Sequence, residues 1–141
     1  MVTIFAEPQY DPDALLYINA VNGTGYALST TEIQAINTFV STLKSNGLWK
    51  RTGDVAIYPL AGNTADSQKF NLLNPVDVDS AYRLKYFNSP THNANGIKGN
   101  GTNQYVDTLI PLNAMINTNM SGSVWMQEAT SSGPIFGVEN G

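Results

Sequence analysis

Lys98-Gly-Asn-Gly-Thr-Asn-Gln-Tyr-Val-Asp-Thr-Leu109 constrains the fold more than any other stretch of this chain. Asn-Gly, here Asn100-Gly101, is the strongest short hairpin signal in a sequence, because the tight reversing turn needs positive φ at its central residues. The residues that follow alternate, sending Tyr105 and Asp107 to one face and Val106 and Thr108 to the other. The spacing predicts a brief Gly96–Gly99 strand paired across this turn with a Tyr105–Leu109 strand. Ser121-Gly-Ser-Val-Trp-Met-Gln127 alternates in the same way, with Val124 and Met126 opposite Trp125, and predicts a strand over 121–128.

The first third reads differently. Asp11-Pro12-Asp13 is a helix start, with Asp11 as N-cap and Pro12 at the first helical position, where its missing N–H costs nothing. Ala14, Leu15, Ile18 and Val21 follow at helical spacing, and Gly23 is expected to supply a left-handed stop. Ser29-Thr-Thr-Glu32 is a capping box. Ile33, Ile36, Phe39, Val40 and Leu43 then form one apolar stripe, ending at Asn46-Gly47 with Lys44 in the last turn. Two short helices cannot stand alone, so their stripes need a cover. Either the chain's own sheet or a neighbouring subunit supplies it, and the five stripe residues are the candidate assembly face.

Val55-Ala-Ile-Tyr-Pro59 reads as a strand ended by proline. Tyr82-Arg-Leu-Lys-Tyr-Phe87 alternates as a half-buried strand, Asn88–Asn95 is a turn cluster, and Ile135-Phe-Gly-Val138 predicts a last strand. The chain therefore divides into a helical docking segment, 1–52, and a β-rich domain, 53–141.

Several short motifs keep their order along the chain: Ile36 to Trp49, Ala56-Ile-Tyr-Pro-Leu-Ala-Gly62, Ser67-Gln-Lys-Phe-Asn71, Ala81-Tyr-Arg-Leu84, Thr91-His92 and Asn100–Asp107. Together with the Val124-Trp125 strand they resemble phage structural and tail-associated proteins in which two short helices lead into a concanavalin A-like (laminin-G-like) β-sandwich. The resemblance spans roughly positions 10 to 127. It implies a mainly β fold preceded by two α-helices, and a role in surface display and recognition. Only about 90 residues follow Trp49, short for a full sandwich by ordinary domain sizes, so the β part is expected to be a front half or a pared-down version.

Composition narrows the chemistry. The 141 residues carry a net charge of −4, and their seven cations are scattered, so the basic patch that phosphate binding needs is missing and nucleic acid is not an expected partner. Charged residues make up only 13%, the polarity coming instead from Asn, Thr, Ser and Gly, a balance frequent in extracellular and virion β-proteins. There is no cysteine, which excludes disulfides and thiolate metal sites. The N-terminus lacks the basic and apolar regions of a secretory signal, and no apolar run approaches a membrane span. Release by host lysis fits these features.

No residue set names a reaction. Of four glutamates, Glu7 precedes the first helix and Glu32 caps the second. Glu128 and Glu139 lie too far apart to resemble the paired carboxylates of a glycoside hydrolase. His92 is the only histidine, which disfavours both an imidazole metal site and a triad, and its Thr-His-Asn setting suits a hydrogen-bonded structural role. Asp77-Val-Asp79 has calcium-loop spacing but lacks the following oxygen ligands and glycine. Gly99-Asn-Gly101 leads into a strand, not a helix, so it is a turn and not a phosphate cradle. Asn22-Gly-Thr24, Asn100-Gly-Thr102 and Asn119-Met-Ser121 match a glycosylation pattern but read as turns. No cofactor, metal or catalytic residue is expected.

The expectation is a non-enzymatic virion structural protein, tail- or fibre-associated, that docks to other virion proteins or to itself, with a trimer favoured. The alternative is a lectin-like module binding a cell-surface glycan, with Asn100, Asn103, Tyr105 and Trp125 as candidate contacts. A glycoside hydrolase is the remote third reading.

Overall fold

The computed structural model describes residues 9–51, 54–114 and 121–126. Two helices come first: α1 over Pro12–Asn22 and α2 over Thr30–Ser45. Four three-residue strands follow: β1, Lys85–Phe87; β2, Thr91–Asn93; β3, Gly96–Lys98; and β4, Tyr105–Asp107. They form two antiparallel two-stranded sheets, β1 with β4 and β2 with β3, so one hairpin is inserted between the strands of the other pair. Single 3-10 turns occupy Asp79–Ala81 and Leu112–Ala114.

The helix ends follow their local chemistry. The Asp11 carboxylate accepts from the Asp13 N–H at 2.9 Å, capping α1. In α2, Ser29 N–H donates to Glu32 Oε2 at 2.8 Å and Glu32 N–H donates back to Ser29 Oγ at 3.3 Å, completing the capping box. Gly47 (φ 65°) ends α2, with Leu48 N–H returning to the Leu43 carbonyl at 2.8 Å. The expected stop at Gly23 is displaced: Gly23 stays right-handed at φ −63°, and the left-handed turn falls at Gly25, φ 89°.

One hydrophobic cluster joins the helices to the chain beyond them. Ala14, Tyr17, Ile18 and Val21 of α1, Leu28, and Ile36 and Val40 of α2 share it with Phe70 and Leu72, while Trp49, Ile57 and Ala61 pack at its margin. The core therefore runs across the 52/53 boundary expected between a docking segment and a β domain. Charge reinforces the helix pair: Lys44 in the last turn of α2 lies 2.6 Å from both Asp11 and Asp13 at the start of α1, an antiparallel arrangement. Asp11 N–H donates to the Asn37 side chain at 2.7 Å.

Four strand expectations are corrected. Gly96–Lys98 pairs with Thr91–Asn93, register His92 to Ile97, and not with the strand after Asn100-Gly101. Tyr105–Asp107 instead pairs with Lys85–Phe87, register Tyr86 to Val106. Val55–Pro59 joins no strand: Leu72 N–H donates to the Ile57 carbonyl at 2.8 Å, and around it a side chain makes the bonds a neighbouring strand would make. The buried Asn71 carboxamide accepts from Ile57 N–H at 3.1 Å and from Leu73 N–H at 3.1 Å, and donates to the Val55 carbonyl at 3.2 Å and the Ala81 carbonyl at 3.1 Å. All four of its hydrogen-bonding positions are used. The strand expected over Tyr82–Phe87 begins only at Lys85, since Tyr82 is left-handed at φ 57°. Residues 121–126 are exposed and form no strand, and the Ile135–Val138 expectation lies outside the described residues.

Candidate functional site

The polar end of the structure is built by one loop holding another. Asn100 Oδ1 accepts from the N–H groups of Thr102, Asn103 and Gln104 at 3.0, 3.2 and 3.2 Å, which closes the Asn100-Gly101 turn on itself. Asn100 Nδ2 donates to Asn103 Oδ1 at 2.9 Å. The Gln104 amide then reaches across to the Asn88 and Ser89 carbonyls at 2.8 and 2.9 Å, and Asn88 Nδ2 donates to the Asn103 carbonyl at 2.6 Å. These bonds deliver the chain after the turn to β1, which is why β4 does not pair with β3. Asn88 and Ser89 are both left-handed, at φ 57° and 54°, a conformation that costs energy for side-chain-bearing residues and persists where the surroundings impose it.

Beside this loop, Phe87 and Tyr105 stack with centroids 4.6 Å apart and planes 6° from parallel. Tyr105 is 54% exposed and Trp125 92% exposed. Of the four expected glycan contacts, Asn100, Asn103 and Tyr105 thus belong to one exposed edge. Their carboxamides are engaged in holding the loop. Trp125 stands on the separate 121–126 segment.

The expected assembly face is only partly outward. Ile36 and Val40 are buried within the chain, Ile33 and Leu43 are half-buried, and Phe39 is 42% exposed. The stripe is wider than the surface α1 needs, and the residues at its centre are covered by the chain's own core, leaving Phe39 as its open part.

A second feature lies on the other side of the Asn88–Pro90 rim. Gln68 is fully buried, and its Nε2 donates to the Gly62 carbonyl at 2.9 Å and the Asn93 carbonyl at 2.8 Å. Its Oε1 sits 2.8 Å from His92 Nδ1. The amide cannot be reversed without setting its oxygen against two carbonyl oxygens, so Nδ1 carries the proton that bonds to Gln68. Gly62, at φ 85°, makes room for the neighbouring Ser67 side chain: a Cβ there would stand 2.3 Å from Ser67 Oγ. The His92 ring meets Tyr86 edge-on at 4.5 Å, and burial holds its pKa below the ordinary histidine value.

Tyr86 and His92 line a groove of about 420 Å³, together with Lys69, Arg83, Lys85 and Asn88. The cations of its wall belong to an alternating ion network that extends behind the groove to Asp77 and Asp79. Lys69 lies 3.1 Å from Asp66 and 2.7 Å from Asp77; Arg83 lies 2.7 Å from both Asp77 and Asp79; Lys85 lies 3.3 Å from Asp79. Hydrogen bonds from Lys69 hold the Asp77 carboxyl below the usual carboxylate range, and those from Arg83 do the same for Asp79. The two carboxylates with calcium-loop spacing are therefore ion-paired to cations. Among the described residues, no group of three or more His, Asp or Glu side chains is placed to hold a metal ion. No helix among them is long and apolar enough to cross a membrane.

Sequence reasoning placed His92 in a hydrogen-bonded role, which its Nδ1 fulfils, but missed Gln68 and the groove. The partners of Gln68 lie 6, 25 and 24 residues away, so no local pattern reveals them. No protein-family model, curated protein or solved structure matches the chain.

Proposed function

We infer that this chain is a non-enzymatic display module of a phage particle, tail- or fibre-associated, which presents the β1–β4 edge and its loops for recognition. The observation that carries the reading is the edge itself. Uncharged carboxamides lock the 100–104 loop onto Asn88 and Ser89, and the stacked Phe87–Tyr105 pair stands beside them. A surface ordered in advance loses little conformational entropy when it meets a partner. The low charge and the resemblance to phage structural proteins support placement on a virion, and the resemblance supports a concanavalin A-like relationship for the β part. Docking to other virion proteins or to further copies of the chain, a trimer favoured, then uses the exposed side of the helical pair, Phe39 included. Immunogold labelling of the parent particle tests the placement: label along the tail or fibre is expected, and label confined to host cytosol overturns it.

The exposed aromatics favour a second, compatible reading, in which the displayed edge binds a glycan. Tyr105 and Trp125 offer open rings of the kind that stack on a pyranose. A glycan array checks this. Selective binding that is lost in folded Tyr105→Ala or Trp125→Ala protein supports it, and a blank array removes it.

A further inference from the structure

We propose that the groove between the Asn88–Pro90 rim and the Lys69–Arg83–Lys85 wall is a binding site for a neutral, hydroxyl-rich ligand, a saccharide, with His92 Nε2 as its central hydrogen-bond acceptor. The inference rests on the glycan reading for its ligand class and departs from it in the residues.

The tautomer comes first. Because Gln68 Oε1 accepts a hydrogen bond from His92 Nδ1–H, the neutral ring has an unprotonated Nε2 on its opposite side, and the ring lines the groove. Gln68 is itself pinned by two backbone carbonyls, so the imidazole is held at a fixed angle by a fully buried support. Such backing from behind is what orients a binding group. The edge-on Tyr86 contact restrains the ring from another side.

The wall selects the ligand's charge. Lys69, Arg83, Lys85 and Asp66 line the groove, and Asp77 and Asp79, outside the lining, pair with the same three cations, so the network is neutral as a whole. An anion would have to displace carboxylates from cations already paired at separations of 2.7–3.3 Å. A hydroxyl displaces neither, since it donates to a carboxylate and accepts from a guanidinium at once. Arg83 keeps capacity for this: Nε and Nη2 bond Asp79 and Nη1 bonds Asp77, leaving two of its five N–H groups. The volume lies in the range of small-molecule sites, and its lining sets four charged side chains, Asp66, Lys69, Arg83 and Lys85, beside the apolar Leu84, Tyr86 and Pro90.

The test is an NMR titration of the intact chain with neutral methyl hexosides and N-acetylhexosaminides, and with glucuronate as the anionic control. Saturable millimolar shifts at the His92 and Tyr86 rings with a neutral glycoside, independent of any shift at Tyr105 or Trp125, are expected. His92→Phe, which keeps the ring contact and removes Nε2, should weaken that binding by about tenfold, the loss of one good hydrogen bond. Unchanged affinity in a folded His92→Phe protein overturns the proposal. Shifts confined to Tyr105 or Trp125 also overturn it while leaving the glycan reading intact. Silence of all four rings removes both, and tighter binding of glucuronate overturns the neutral ligand class. If His92→Phe does not fold, the wild-type titration decides alone.

Discussion

The Gln68 side-chain oxygen lies 2.8 Å from His92 Nδ1, and the amide's two N–H bonds to Gly62 and Asn93 leave it no other orientation. One fully buried side chain thereby ties together the 62–68 loop, the β2–β3 hairpin and the groove's histidine. Gln68→Met keeps the length and removes every bond, stranding two carbonyls and the Nδ1 proton. Each abandoned buried group costs about 1–3 kcal/mol, so a loss of about 3 kcal/mol or more is expected. Urea denaturation measures it, and a loss under about 1 kcal/mol would contradict the burial and bonding described.

The same histidine makes stability depend on pH. Burial lowers its folded pKa from 6.5, so the unfolded chain takes up a proton more readily than the folded one. Its contribution is therefore complete above 6.5 and is lost as pH falls from there towards the folded value. Further acid removes a second contribution. Hydrogen bonds from Lys44 lower Asp11 and Asp13, and those from Lys69 lower Asp77, so stability present above their ordinary value of 3.8 is lost below it. Urea midpoints should thus fall in two steps on acidification. A folded His92→Asn protein should lack the first step and keep the second.

Tyr17 offers the opposite case. Its side chain is fully buried in the helical core, and its hydroxyl lies near the Ala61 backbone without a bond of acceptable geometry. A buried hydroxyl without a partner opposes folding, and removing it leaves the ring's packing in place. Tyr17→Phe is expected to raise stability by about 1 kcal/mol, seen as a higher urea midpoint at unchanged slope. A destabilised Tyr17→Phe protein would mean that the hydroxyl has a bond in solution.

The two helices were legible in the sequence because their signals are local. The Ser29–Glu32 box, the Ile36/Val40 stripe and the Asn46-Gly47 stop each lie within a few residues of the structure they specify. The strands were harder because partner choice is not local. Asn100-Gly101 does turn the chain, but which strand it meets depends on the Gln104 amide finding carbonyls 16 and 15 residues back. Val55–Pro59 has strand-like residues, yet Asn71, 14 residues from Ile57, takes the place a strand would fill. In the candidate site, Tyr105 and Asn103 stood out as turn and strand residues. Gln68 did not, since a lone glutamine in a loop carries no periodicity and shows its role only once its three partners converge.

Ser89 and Asn88 give the last prediction. Two successive left-handed residues with side chains are uncommon, and each costs about 1–2 kcal/mol relative to glycine's freedom there. The Gln104 amide holds both of their carbonyls and so sustains the strain that shapes the groove's rim. Ser89→Gly should relieve part of it and stabilise the chain by up to about 1 kcal/mol, less the entropy the new glycine adds to the unfolded state. Gln104→Ala should do the reverse, leaving the rim strained and unheld. Faster amide hydrogen exchange at 88–90 and 103–105, with the helical core unchanged, is the expected mark of that variant. Uniform acceleration across α1 and α2 as well would mean that the rim and the helical core open as a single unit, so that the groove's shape is set by the whole fold and not by one glutamine.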